Sequence, residues 1–103
     1  MANQFDVLPN PASSRGTRPY IVILQADLID DTELVLCAPL IPAGDLAQTL
    51  ILHPRVHVKG LPFHVLMDEL APLPRRRLKS PVGSLAADRG SIARAIDLLF
   101  FGI

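Results

Sequence analysis

Few side chains in this chain carry metal-binding or proton-transfer chemistry: the histidines His53, His57 and His64, an acidic cluster of Asp27, Asp30, Asp31 and Glu33, and one cysteine, Cys37. The histidines have no cysteines near them and match no zinc-ligand spacing, so they read as surface or hydrogen-bonded strand residues and no metal is expected. The carboxylates invite comparison with a nuclease's metal ligands, but Asp30-Asp31-Thr32 has the side chains that stabilise tight turns, and no basic groove accompanies it. Cys37 lies in the apolar run 34–38 and reads as a small core hydrophobe. A lone cysteine makes no intramolecular disulfide, which fits a reducing cytoplasm. The pattern predicts no catalytic residue, no cofactor and no enzyme activity.

The strongest signal lies at the other end of the polarity scale. The chain closes on Ala95-Ile96-Asp97-Leu98-Leu99-Phe100-Phe101-Gly102-Ile103, an apolar helix running into an aromatic-Gly-Ile end. Ends are usually polar and frayed unless something holds them. Gly102 can adopt the left-handed conformation that terminates a helix. Two readings follow: a Schellman-type cap with Ile103 folded back on the last turn, or an exposed recognition element.

The elements that must position these residues are strands first and a helix last. Ten prolines punctuate short apolar runs. Residues 5–8 form a short strand, 9–18 a solvated turn-rich loop, and 20–26 and 34–38 a hairpin with a buried face, turning at Asp30-Asp31-Thr32. Residues 55–58 alternate and pair with 63–67 through Lys59-Gly60-Leu61-Pro62. Residues 46–52 fit a short helix or a strand equally, and 70–74, bounded by proline, belongs at an edge. Ile92, Ala95, Ile96, Leu99 and Ile103 line one helical face. Ser91 can cap this helix, and a start near Ser84 is open if Gly90 is accommodated. Phe101 and Leu98, three residues apart, imply a second contact surface.

At 103 residues, residues 1–103 form one domain. Half of the residues are hydrophobic, and a chain this short leaves apolar surface uncovered, so a self-complementary homodimer is the economical expectation. Ten basic residues balance ten acidic ones, which argues against direct nucleic-acid binding. No run reaches the length of a membrane span and the N-terminus has no signal-peptide pattern, so a cytoplasmic protein without a membrane partner is expected. The basic run Arg75-Arg76-Arg77 with Lys79 reads as a solvated loop, with acidic partner residues as the alternative ligand.

Taken in order, several segments resemble the CcdB family of bacterial toxins. Gln4-Phe5 followed by Val7 resembles that family's opening Gln-Phe-x-Val, and Gln25-Ala26-Asp27-Leu28-Ile29-Asp30 its Gln-Ser-Asp-Ile-Ile-Asp. Pro39-Leu40 falls where the family has Pro-Leu, and His53-Pro54-Arg55-Val56-His57-Val58 resembles its Tyr-Pro-Val-Val-His-Ile. The closing nine residues resemble Ala-Ile-Asn-Leu-Met-Phe-Trp-Gly-Ile.

The resemblance implies a mainly β fold with a C-terminal α-helix: an SH3-like barrel of two antiparallel sheets, assembled as a homodimer. It implies a toxin of a type II toxin–antitoxin system that binds the DNA-cleaving subunit of DNA gyrase and stabilises the gyrase-cleaved DNA complex. The gyrase-binding residues it implies are Phe101, Gly102 and Ile103, with Asp97, Ala26 and Leu28. A CcdA-like antitoxin is the second implied partner, with Gln4, Phe5 and Leu8 as its candidate contacts. Phenylalanine stands at 101 for tryptophan, aspartate at 97 for asparagine and alanine at 26 for serine. Phenylalanine offers a weaker π face to a partner arginine and no indole N–H. A homologue that binds antitoxin without toxicity, and an mRNA-cleaving toxin of similar fold, stay open as alternatives.

Overall fold

The computed structural model describes residues 2–44 and 51–103. Among these residues seven strands, β1 (Asp6–Pro9), β2 (Tyr20–Ile23), β3 (Leu34–Pro42), β4 (Arg55–Val58), β5 (Leu61–Val65), β6 (Ala71–Pro74) and β7 (Gly83–Ser84), precede one α-helix, α1 (Arg89–Phe101). All pairs are antiparallel, in the order β4-β5-β3-β2-β1-β7, with β6 also paired to β3. The expected two sheets are joined through β3. Residues 37–40 of this strand pair with β2, while its opposite edge carries β6 along 34–37 and β5 along 40–42. One long strand thus serves both halves of a barrel-like sheet.

The central hairpin is buried on both faces, not on one as its sequence suggested. Val7, Val22 and Ala38 are paired across β1, β2 and β3 and face the main core with Leu40, Val56, Phe63, Met67, Leu85, Ile92 and Ala95. Their neighbours Leu8, Ile21, Ile23, Val35 and Cys37 face the other way, under Ala2, Leu73 and Leu78. Strands covered on both sides read as continuous apolar runs because no position is left for a polar side chain. The cover changes sides along β3, since Val35 and Cys37 serve the second cluster and Ala38 and Leu40 the first.

Turn chemistry explains the other differences from the sequence expectation. Strand β2 ends at Ile23 because Gln25 leaves the ladder and uses its side chain instead: the N–H of Leu36 donates to Gln25 Oε1 at 3.2 Å. The chain reverses at residues 26–29, where the Ile29 N–H donates to the Ala26 carbonyl at 3.0 Å. Asp30-Asp31-Thr32 lies on the return. Between β4 and β5 the turn shortens to Lys59 (φ 53°) and Gly60 (φ 80°), the two positive angles of a type I′ hairpin, so Leu61 and Pro62 belong to the strand. Residues 71–74 do form the proline-rich edge strand. The loop after β1 is organised by buried Asn10, which donates to the Arg18 carbonyl at 2.8 Å and accepts from the Ala12 N–H at 2.9 Å. The run 46–52 falls mostly outside the described residues.

Helix α1 begins two positions before Ser91, with Gly90 inside it and a 3-10 turn, Ala86–Asp88, leading in. Ser91 is not the cap, since its hydroxyl donates to the Asp88 carbonyl at 3.0 Å. Ile92 and Ala95 are buried, with Ile96 and Leu99 packed against the main cluster. This face anchors the helix and so fixes where its C-terminal end emerges.

Candidate functional site

The end of α1 terminates on Gly102 (φ 72°, ψ 20°), whose N–H donates to the Leu98 carbonyl at 3.0 Å. That single bond is the αL cap, not the Schellman pair. Ile103 does not fold back. It is 85% exposed and Phe101 is 72% exposed, so Ile103 leaves the buried stripe to which its spacing assigned it. The cap turns the chain off the helix axis and leaves an aromatic and a branched aliphatic side chain in water. Asp97, one turn earlier, is exposed as well.

A second exposed apolar element is the 26–29 turn. Leu28 sits at its tip, 94% exposed, with Ala26 and Ile29 also at the surface. Ala26 lines a groove of about 520 Å³ whose floor includes Ile23, Val35 and Leu78 and whose rim carries Asp27, Asp30, Arg75 and Lys79. Phe101, Gly102 and Ile103 do not line this groove.

The residues near the N-terminus divide differently. Gln4 and Phe5 are half-buried. Gln4 donates from its backbone N–H to Asp27 Oδ1 at 2.6 Å and from Nε2 to the Leu24 carbonyl at 2.9 Å. Phe5 precedes the strand in a left-handed conformation (φ 71°), packs against the main core, and holds the Arg89 guanidinium 5.7 Å from its ring centroid. Leu8 is corrected: it is wholly buried in the second cluster and offers a partner no surface in the protomer. Strand alternation would have found this had both sheet faces been taken as covered.

The groups with conspicuous chemistry are absorbed by the fold. His53 Nε2 lies 2.8 Å from Asp68 Oδ1, His64 Nδ1 lies 3.0 Å from the His53 carbonyl, and His57 is exposed on β4. Among the described residues, no group of histidine, cysteine or acidic side chains could hold a metal ion. Burial pushes the Cys37 thiol up to about 12, leaving it protonated and unreactive at neutral pH. Asp27 receives the Gln4 N–H, Asp30 lines the groove, and Asp31 follows it in the loop, beside Thr32 and Arg75. Within the basic run, Arg75 bonds to Thr32 and Arg77 donates to the Pro11 carbonyl, so two of the three arginines tie loops together, a role that the residue types alone did not reveal.

The domain is an antiparallel sheet closed by one C-terminal helix, with apolar side chains exposed at a loop tip and at the helix end. The family model described as CcdB protein matches residues 4–102, and the chain belongs to the CcdB family, toxins of toxin–antitoxin systems. A search of curated proteins gives no match. Among the described residues no helix is long and apolar enough to cross a membrane.

Proposed function

We propose that this protein is a gyrase poison. As a homodimer in the cytoplasm, it binds the DNA-cleaving subunit of bacterial DNA gyrase and stabilises the state in which cleaved DNA is covalently held. It acts by contact and not as an enzyme. The observation that carries this reading is the α1 end, where a left-handed glycine cap leaves Phe101 and Ile103 in solvent. Exposed aromatic and branched side chains on a rigid helix are the anchors that protein interfaces use. Open space surrounds the side of Gly102 where a Cβ would stand, so a partner's backbone can approach it closely.

Phe101, Gly102 and Ile103 form the anchor in this proposal, with Asp97 directed at a basic group and Ala26 and Leu28 completing the contact. A ligand shifts a two-state equilibrium only by its differential affinity, so the toxin must fit the cleavage complex better than resting gyrase. Its CcdA-like antitoxin binds over Gln4 and Phe5, next to the loop that Gln4 holds through Asp27. Purified gyrase on supercoiled DNA, with ATP and the toxin, should accumulate linear DNA after detergent and protease treatment. If gyrase from the native host gives none, and the antitoxin still binds, the chain is a non-toxic antitoxin-binding homologue.

A further inference from the structure

We infer that Arg75, together with Gln25 and Thr32, positions the partner-binding loop so that Leu28 is presented as a preformed knob. The inference rests on the gyrase reading above. Arg75 belongs to a basic run whose residue type suggests solvent or an acidic partner, yet its guanidinium is spent inside the molecule. Nε donates to the Thr32 carbonyl at 2.8 Å, Nη2 donates to Thr32 Oγ1 at 3.2 Å, and the Arg75 N–H donates to the Glu33 carbonyl at 2.8 Å. Thr32 Oγ1 also accepts from Gln25 Nε2 at 2.8 Å and donates to the Leu34 carbonyl at 2.7 Å. One donor and two acceptor sites are all that a hydroxyl has, and every one is used.

Gln25 closes the loop from the other end. Its Nε2 also donates to the Ile29 carbonyl at 2.9 Å, and its Oε1 accepts from Leu36. Asp27, beside Leu28, is held by Gln4. The result is a tip fixed on three sides that carries an almost fully exposed leucine. Nothing in the protomer gains from holding Leu28 in water. A binding surface does gain, because a loop already ordered gives up less conformational entropy on docking. Arginine suits the task better than lysine, since its planar fork reaches the carbonyl and the hydroxyl of one residue together.

The test is a binding cycle on the full-length protein against the purified DNA-cleaving subunit of gyrase, followed by calorimetry, with melting temperature and dimer state recorded for each variant. Arg75→Met and Thr32→Val should each weaken binding about tenfold while melting and association stay near wild type. Thr32→Ser, which restores the hydroxyl, should bind like wild type. Leu28→Ala should weaken binding, and adding Arg75→Met to it should cost nothing more, because the clamp then has no knob to place. Two independent losses that add in the double variant would overturn the inference, as would wild-type binding by Arg75→Met beside weakened binding by Leu28→Ala. In both cases the gyrase reading stands. Undiminished binding by Leu28→Ala would remove Leu28 from the site and the clamp's role with it, whereas a wild-type protein that does not bind gyrase would overturn the proposed function itself.

Discussion

At residue scale, the two positions that decide most are a glycine and a cysteine, for opposite reasons. Gly102 holds φ 72° with open space around it, so the cost of a side chain there is conformational and not steric. Gly102→Ala should destabilise the domain by roughly 1 kcal/mol, read as a lower midpoint in urea. It should also weaken gyrase binding by more than that shift explains, because it misaims Ile103. Cys37 is 2% exposed and its thiol is raised from 9.0 to about 12 by burial. The folded state therefore keeps this proton where the unfolded chain loses it. Its contribution is intact below pH 9.0 and falls as pH rises from 9.0 towards about 12. Replacing Cys37 by alanine should flatten the alkaline decline in stability over that window. A thiol reagent at neutral pH should label the native protein only at the rate at which it unfolds.

At the scale of elements, the hairpin of β4 and β5 shows how local chemistry sets register. Lys59 holds a left-handed angle that asparagine adopts with less strain, so Lys59→Asn should stabilise the domain by a few tenths of a kcal/mol, read as a slightly higher melting temperature, while Gly60→Val should lower it. The Arg18–Glu69 pair ties the loop after β1 to the 3-10 turn Met67–Glu69 through bonds of 2.6 and 2.7 Å, and it raises the arginine's pKa. Its side chains are 27% and 41% exposed, so solvent screens it. Glu69→Gln should cost well under 1 kcal/mol and less still in high salt, measured by thermal melts across ionic strength. These elements also mark what the sequence made legible. Alternation at 55–58 and the three-and-four spacing from Ile92 to Leu99 located a strand and a helix, because each buries one face in one core. The runs containing Leu8 and Cys37 gave no sign of which face mattered, because the fold covers both. The type I′ turn hid behind Leu61-Pro62, which look like turn residues and pair as strand. At the helix end, Gly102 was readable as a left-handed terminator, but the exposure of Ile103 was not, since its spacing placed it on the buried face. The Arg75 contacts were hidden because their partner Thr32 lies 43 residues away.

At the scale of the whole molecule, the α1 end can be removed without touching the main core, and truncation is therefore the sharpest test of the proposed gyrase contact. The main core takes Ile92 and Ala95 from α1, with Ile96 and Leu99 against it, while Phe101, Gly102 and Ile103 are exposed. Deleting Gly102 and Ile103 removes no buried side chain. It does remove the cap bond to Leu98 and brings the terminal carboxylate to the helix end, where the dipole opposes negative charge. Together these should cost about 1–2 kcal/mol, a shift in melting temperature that leaves the fold and a homodimer intact. Antitoxin binding should survive, because Gln4 and Phe5 are held by Leu24, Asp27, Arg89 and the main core and not by the α1 end. Gyrase binding and accumulation of cleaved DNA should disappear, since two of the three anchor residues are gone and Phe101 is left on an uncapped helix end. Poisoning that persists after truncation would move the site away from the helix end. Loss of antitoxin binding along with gyrase binding would show that both partners use one surface, and would place the antitoxin over the toxin's own anchor.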